Sequence, residues 1–99
     1  MMIARFAPSP TGPLHLGHAY AAIFAYELAM ENGGSLLLRF EDIDVTRVRD
    51  QYYLAIERDL AWLGIHWDGT PMRQKDRLPA YTESLQKLKS LEVVYPCFC

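Results

Sequence analysis

Apolar and polar positions alternate along this chain in blocks that predict strands and helices in turn. Residues 1–6 are mostly apolar and predict a buried first strand, and the near-continuous apolar run 35–40 predicts a second strand with both faces covered. Between them, apolar residues at helical spacing predict a helix over residues 16–32, which Gly33 and Gly34 end. The apolar side of this helix is expected to carry Leu16, Ala19, Ala22, Ile23 and Tyr26.

The second half of the chain predicts two more helices separated by a loop. One helix begins near Thr46 or Asp50, either of which can cap it, and ends at Gly64. Residues 66–77 are polar and broken by glycine and proline, which predicts a loop, and residues 79–91 predict a third helix. The stripe expected to be buried on the first of these helices is Tyr53, Ile56, Leu60 and Leu63. The inner face expected on the second is Tyr81, Leu85, Leu88 and Leu91.

The order strand, helix, strand predicts an α/β fold with a parallel sheet. In such a sheet the carboxyl ends of the strands lie at one edge, and ligands bind in the crevice outside that edge. Residues 5–9 and 39–44 both fall at the ends of predicted strands. We therefore expect these two segments to lie close together.

Composition narrows the class of protein without identifying an activity. The 99 residues suffice for one small domain, and 51% of them are apolar, which is enough for a core. The net charge of −2 argues against a nucleic-acid footprint spread over this segment. Because no apolar run reaches transmembrane length and no signal-peptide layout opens the chain, we expect no membrane partner and take the cytoplasm as the default location.

Two histidines one helical turn apart, His15 and His18, stand at the predicted start of the first helix. A proline-rich loop over residues 8–13 precedes them, and a helix start attracts phosphate through its free N–H groups. Gly17 between them leaves room for a nucleotide against the backbone. The pattern predicts a phosphate site in which two imidazoles donate hydrogen bonds to developing charge. The alternative is a histidine pair packed for structural reasons.

The sequence resembles a known family at these residues. Residues 15–18 match the His-x-Gly-His signature of class I aminoacyl-tRNA synthetases and related nucleotidyltransferases. The longer ordered set, residues 5–18, 39–44, 62–68 and 95–99, resembles the glutamate-activating subgroup, which comprises glutamyl-tRNA synthetase and the shorter glutamyl-queuosine tRNA(Asp) synthetase. The resemblance implies the first half of a Rossmann-type catalytic domain that activates glutamate with ATP and Mg²⁺ and transfers it to tRNA.

The resemblance also implies roles for individual residues. His15 and His18 would hold ATP and stabilise the transition state at the α-phosphate. The remaining ATP contacts would come from Thr11, Gly12 and Gly17. The glutamate-binding set would be Arg5, Ala7, Ser9 and Glu41, with the guanidinium on a glutamate carboxylate and the Glu41 carboxylate on the α-ammonium group.

Other interpretations of the charged residues stay open at this point. Arg5 can equally be a surface charge or part of a structural ion pair. The acidic run Glu41-Asp42-Ile43-Asp44 can be a solvated loop or a magnesium site. We expect Asp42 and Asp44 to be structural or capping residues that pair with Arg47 or Arg49.

The subtype prediction depends on Ile43. Glutamine-specific relatives usually show Asp-Asp-Thr-Asn here and ordinary glutamyl enzymes Glu-Asp-Thr-Asp, whereas Glu-Asp-Ile-Asp is usual in the glutamyl-queuosine branch. The resemblance therefore favours tRNA(Asp) as partner, with tRNA(Glu) as the alternative. A His-x-Gly-His nucleotidyltransferase for a cofactor precursor and a non-catalytic nucleotide-binding fragment remain as readings from other classes.

The end of the chain carries two further expectations. The extended segment 93–99 has just begun when the chain stops, and the family's Lys-x-Ser-Lys-like loop does not occur, so we expect residues 1–99 to be the N-terminal part of a longer catalytic domain and inactive alone. Cys97 and Cys99 are poor disulfide partners because alternate strand positions face opposite sides. Within these residues we expect two free thiols. His66 is a poor third zinc ligand, since it stands beside Trp67 in a predicted loop. The resemblance implies that the two cysteines open a zinc-binding insertion whose other ligands come later.

One further set could be mistaken for a base-stacking surface. Helical spacing and apolar neighbours predict that its members pack in or around the core instead. The set is Tyr52, Tyr53, Trp62, Trp67 and Tyr81.

Overall fold

Three parallel strands form a sheet in the order β1-β2-β3 in the computed structural model, which describes residues 1–99. The strands are β1 (Ile3–Phe6), β2 (Ser35–Phe40) and β3 (Met72–Arg73). The register pairs Ile3 with Ser35 along β1 and β2, and Arg39 with Met72 between β2 and β3. The predicted α/β fold with a parallel sheet is confirmed.

A helix follows each strand, and the three helices occur in the predicted order. They are α1 (Leu16–Glu31), α2 (Asp50–Trp62) and α3 (Leu78–Ser90), and a short 3₁₀ helix over Gln74–Arg77 leads into α3. Helix α1 stops as predicted, because Gly33 takes the left-handed conformation (φ 62°) and the Gly34 N–H donates to the Ala29 carbonyl at 2.8 Å. Helix α2 stops in the same way at Gly64.

The core lies between one face of the sheet and the first two helices. Its members are Phe6, Ala22, Leu36, Leu38, Phe40, Tyr53, Ile56, Leu60 and Ile65. The stripe predicted on α2 is confirmed, with Leu63 half-buried at its end. Burying an aliphatic or aromatic side chain contributes about 1.5–3 kcal/mol, so each of these side chains stabilises the packing of the sheet against the two helices.

The second face of β2 is open, and the expectation that both faces would be covered is wrong. Leu37 on that face is 43% exposed, and Ile3 on the same face of β1 is exposed as well. The reason is that α1 and α2 both pack on the face that carries Leu36, Leu38 and Phe40. The apolar run 35–40 indicated that β2 is buried, but it did not indicate that both helices would pack on the same face of the sheet.

The sequence predicted a loop over residues 66–77, but this polar stretch contains β3 and the 3₁₀ helix. Asp68 fastens this stretch to the sheet. Its N–H donates to the Leu36 carbonyl at 2.8 Å, and its carboxylate accepts the Leu36 N–H at 3.1 Å. The chain is thereby laid beside β2, where Met72 and Arg73 pair with the strand end.

Three predictions at helix ends and faces are wrong. Neither Thr46 nor Asp50 caps α2, which begins after Arg49 without a side-chain cap. Leu16 is 87% exposed because it is the first residue of α1 and lies away from the sheet. The face of α3 that was expected to be buried is exposed, since that helix follows the 3₁₀ helix and packs on no part of the core.

None of the helices combines the length and the hydropathy needed to cross a membrane.

Candidate functional site

The turn before α1 holds two histidines in a fixed arrangement. His15 caps the helix with extended backbone, and its Nδ1 accepts the Gly17 N–H at 3.1 Å. Nδ1 of His18 accepts the His15 N–H at 3.0 Å, and the two rings stack with centroids 3.7 Å apart. The pair therefore satisfies two of the N–H groups that a helix start leaves free, and these two groups are not available to a phosphate.

The same hydrogen bonds set the tautomer of both rings. Because each Nδ1 accepts an N–H, each neutral ring carries its proton on Nε2 and can donate from there. The pKa of His18 lies below its ordinary value of 6.5, first because the ring is partly buried and second because His15 lies beside it. At neutral pH His18 is thus an uncharged donor, and an Nε2–H can stabilise an oxygen that gains negative charge.

Gly17 makes room for the ring of His15. A β-carbon at position 17 would lie 3.0 Å from Cε1 and 3.2 Å from Nδ1 of that ring. Contacts of 3.0–3.4 Å are tighter than most side-chain contacts, so a larger residue would require the imidazole to shift by a few tenths of an ångström. The glycine therefore preserves the cap, whereas its contact with a nucleotide stays a prediction. A β-carbon at Gly12, in the loop before the helix, would meet no atom within 4 Å.

Alternate residues at the ends of β1 and β2 form one row on the open face of the sheet. The Ser35 N–H donates to the Met2 carbonyl, and the same offset recurs where the Glu41 N–H donates to the Pro8 carbonyl at 2.9 Å. Since side chains alternate between faces, this ladder places six residues opposite the core. We call them the open-face row: Arg5, Ala7, Ser9, Leu37, Arg39 and Glu41. All four residues of the predicted glutamate set lie in it.

Two cavities open along this row, and an ion pair connects them. A cavity of about 260 Å³ brings Ser9, Thr11 and Glu41 together with Arg47. A second cavity, of about 210 Å³, is lined by Arg5 and Arg39 among others. Nη2 of Arg39 lies 3.1 Å from Oε1 of Glu41 and joins the two. The structure thus places Arg5, Ser9 and Glu41 of the predicted glutamate set in neighbouring cavities, whereas Ala7 lines neither.

The histidine pair lies outside both of these cavities. His15 instead lines an apolar groove of about 520 Å³ between the start of α1 and the second half of α2, together with Leu16, Asp59 and Trp62. The structure therefore brings Thr11 to the glutamate residues and does not enclose His15 and Glu41 in a single cavity.

Asp42 is structural, as predicted, but its partners differ from those expected. The residue is fully buried, and its carboxylate accepts the Tyr53 hydroxyl at 2.6 Å and the Lys75 N–H at 2.8 Å. Burial and this hydrogen bond raise the pKa of Tyr53 above its ordinary value of 10.0. These bonds fix the end of β2 to α2 and to the 3₁₀ helix.

The expected ion pairs between the acidic run and two arginines do not form. Asp44 accepts the Thr46 hydroxyl at 2.6 Å, and the Arg49 guanidinium donates to the carbonyls of Thr46 and Val48. Asp44 and Arg49 thus bind hydroxyl and backbone groups within five residues of Asp44 instead of each other.

The aromatic set divides between core and surface. Tyr53 is buried and Tyr52 and Trp67 are partly buried, as predicted, whereas Trp62 is 85% exposed and Tyr81 is exposed as well. Sequence reasoning also left Arg39 without a role, although its spacing of two from Glu41 in a strand predicts a shared face.

The two cysteines are free thiols, as predicted, but the argument that they face opposite sides is wrong. Their sulfur atoms lie 2.6 Å apart without a disulfide, because the chain is not in a strand there. The hydrogen bond from Cys99 lowers the pKa of Cys97. No group of three or more His, Cys, Asp or Glu residues is arranged to hold a metal ion.

Comparison with known proteins identifies relatives along the whole chain. Residues 1–99 match the family described as "tRNA synthetases class I (E and Q), catalytic domain". A glutamyl-Q tRNA(Asp) synthetase from Rhodobacter capsulatus is 56% identical over 98 residues, covering 99% of this chain and 35% of that protein. A glutamate–tRNA ligase from Gluconobacter oxydans is 48% identical over 97 residues, covering 98% of this chain and 22% of that protein.

The fold has a close counterpart among solved structures. The crystal structure of the glutamate–tRNA synthetase from Elizabethkingia anophelis superposes with a TM-score of 0.84 at 36% identity, over 89% of this chain and 19% of that one. The chain therefore spans between about a fifth and about a third of the length of these relatives.

Proposed function

The chain belongs to the family of catalytic domains of class I tRNA synthetases for glutamate and glutamine, and from that premise we propose that it is part of an enzyme that activates glutamate with ATP. In this reaction a glutamate carboxylate oxygen attacks the α-phosphorus, and the bond to pyrophosphate breaks. The glutamyl adenylate that forms then passes its acyl group to a hydroxyl of a tRNA.

The observation that carries the proposal is the hydrogen bonding of the histidine pair. Both Nδ1 atoms are occupied by backbone N–H groups at 3.0 and 3.1 Å, which leaves both Nε2–H groups free to donate. Negative charge grows on the α-phosphate oxygens as the new bond forms, so donors held in place stabilise the transition state more than the ground state. Thr11, Gly12 and Gly17 complete the ATP contacts of the proposal.

The open-face row supplies the proposed glutamate site. Arg5 binds one glutamate carboxylate through a forked guanidinium, and Glu41 binds the ammonium group. Ser9 adds a polar contact, and the small side chain of Ala7 leaves its backbone accessible. Positioning both reactants in this way can contribute about 7–11 kcal/mol to lowering the barrier.

Two metals belong to the proposal in different ways. Magnesium would accompany ATP, held mainly by phosphate oxygens, and the chemistry it would supply is neutralisation of the phosphate charge. Cys97 and Cys99, both exposed, would supply two of the four ligands of a zinc ion. Their sulfur atoms lie 2.6 Å apart and would have to separate to about 3.7 Å to bind one tetrahedral zinc at about 2.3 Å each. The other two ligands would have to come from outside the groups that the structure brings together.

We assign the tRNA partner to tRNA(Asp), with the queuosine base as acceptor. Ile43 and the name of the Rhodobacter capsulatus relative support this assignment, and tRNA(Glu) charged at its terminal ribose is the alternative. We further propose that residues 1–99 are the N-terminal part of the catalytic domain, that Cys97 and Cys99 begin a zinc-binding insertion, and that this piece alone is inactive.

Glutamate-dependent exchange between ATP and pyrophosphate, measured on the longest product of the gene, tests the proposal. We expect exchange without tRNA in the wild type, and a loss of about 10²–10³-fold in kcat for His15→Ala and for His18→Ala. The matched control is His66→Ala, which removes an exposed histidine outside the row and the turn. Exchange that appears only with tRNA(Glu) would reassign the partner, and no exchange under either condition would refute glutamate activation.

A further inference from the structure

We propose that Arg39 is a positioning residue of the glutamate site, one that acts on the substrate through Glu41. This inference rests on the proposed function. It begins from the ion pair between Nη2 of Arg39 and Oε1 of Glu41 at 3.1 Å, which links the two cavities of the open-face row.

The geometry gives Arg39 the central place in that row. Continuing the register of β1 and β2 sets Ala7 beside Arg39 and Ser9 beside Glu41. These two neighbours, which follow β1 along the chain, are small, so the space above them is available to the guanidinium and to a ligand. Arg39 and Glu41 are two residues apart on a strand and therefore share a face.

The ion pair occupies only one of the two oxygens of the Glu41 carboxylate. One oxygen, Oε1, accepts from Arg39, and the structure shows no partner for Oε2. A carboxylate on an exposed strand end would rotate between orientations, whereas one held at a single oxygen presents the other in a fixed direction. Fixing that oxygen lowers the entropy lost when an ammonium group binds.

The exposure of the pair argues against a purely stabilising role. The side chain of Arg39 is 28% exposed and that of Glu41 43%, so solvent screens the ion pair and it contributes little to stability by itself. Nε of Arg39 is buried without a hydrogen-bond partner, a cost that the side chain would avoid by turning into water. Arg39 keeps this orientation together with its bond to Glu41.

A double-mutant cycle on the longest product of the gene tests the inference. The variants are Arg39→Met, Glu41→Gln and the double variant, with kcat and KM for glutamate measured by ATP–pyrophosphate exchange. We expect Arg39→Met to raise KM about 10-fold with kcat changed less than about 3-fold, because it removes an interaction that stabilises the bound substrate and the transition state equally. In the Glu41→Gln background the same change should have no further effect, because the group through which Arg39 acts is already lost.

Three further measurements separate the inference from a purely structural role. Arg39→Lys retains a cation on this strand and should recover most of the loss in KM. Glutarate, which lacks the ammonium group, should inhibit the wild type and Arg39→Met equally. Arg58→Met, on an exposed arginine whose closest acid atom is 3.8 Å away, is the matched control and should leave KM unchanged.

Each outcome decides the question. Additive losses in the cycle, or weaker inhibition of Arg39→Met by glutarate, would overturn the inference by showing that Arg39 contacts the substrate itself. An unchanged KM in Arg39→Met would overturn it as well. If the wild type lacks glutamate-dependent exchange, the proposed function fails instead, and the two failures are thus distinguishable.

Discussion

Replacing Tyr53 by phenylalanine removes a single oxygen from the core and tests how the end of β2 is held. The Tyr53 hydroxyl donates to the buried carboxylate of Asp42 at 2.6 Å. The phenyl ring keeps the edge-on contact with Phe40, at a centroid distance of 4.9 Å, and the stack under Arg73. Loss of the hydrogen bond is therefore the main change.

The size of the effect follows from the charge and burial of the acceptor. A hydrogen bond to a charged group contributes about 1.5–3 kcal/mol, and a buried acceptor left without its donor adds to the loss. Asp42 keeps its bond from the Lys75 N–H at 2.8 Å. We therefore expect the free energy of unfolding to fall by about 2 kcal/mol.

The assay is urea unfolding of Tyr53→Phe beside Tyr52→Phe, the same substitution one residue earlier. Tyr52 is partly exposed and its hydroxyl makes no hydrogen bond within the chain, so Tyr52→Phe should lie within about 0.5 kcal/mol of the wild type. For an m-value of about 2 kcal/mol per M, Tyr53→Phe should lower the midpoint by about 1 M.

Alkaline pH supplies a second readout with a definite sign. The pKa of Tyr53 is raised in the folded protein above 10.0, so above that pH the unfolded chain loses its proton first. The contribution to stability is complete below pH 10.0 and falls as the pH rises beyond it, and Tyr53→Phe should lose this part of the pH dependence. Equal midpoints for Tyr53→Phe and Tyr52→Phe would refute the reasoning.

Three other predictions concern the histidine turn and one helix end. Gly17→Ala should shift the His15 ring and lower kcat about 10²-fold. The unfolding free energy should stay within about 1 kcal/mol of the wild type, because the higher helix propensity of alanine offsets the weaker cap. Activity equal to wild type would contradict this prediction. The pKa of His18 is lowered in the folded protein, so the contribution of His18 to stability is complete above pH 6.5 and should fall as the pH drops toward the folded pKa. Urea midpoints of the wild type and His18→Ala, measured between pH 7.5 and 5, check this prediction. Parallel pH dependence of the two midpoints would exclude it. Glu92 has φ 59°, so Glu92→Gly should stabilise the end of α3 by about 1 kcal/mol, whereas Glu83→Gly inside that helix should destabilise it by a similar amount in thermal unfolding, and a loss in both would count against left-handed strain.

Local patterns in the sequence predicted the elements of the fold because their causes are local. Glycine at position 33 ends α1 through a left-handed residue, and the three-to-four spacing of Tyr53, Ile56 and Leu60 buries one stripe of α2. The resemblance to a family added the histidine turn and the set Arg5, Ala7, Ser9 and Glu41. Alternation along a strand explains why those four residues share a face.

Tertiary structure decided what depends on the packing of distant segments. Apolar content predicted that β2 would be covered on both faces, yet α1 and α2 pack on the same face and leave the other open. Residues 66–77 read as a loop because β3 is only two residues long and forms through its pairing with β2.

The partners of buried and half-buried charges show the same division. The sequence by itself determined that Glu41 and Asp42 lie at the end of a strand. Only the fold decided that Asp42 binds Tyr53 and the backbone of Lys75, residues 11 and 33 positions away. The physical reason is that secondary structure follows from interactions within a few residues, whereas a buried charge takes whichever donors the packed chain brings within hydrogen-bonding distance.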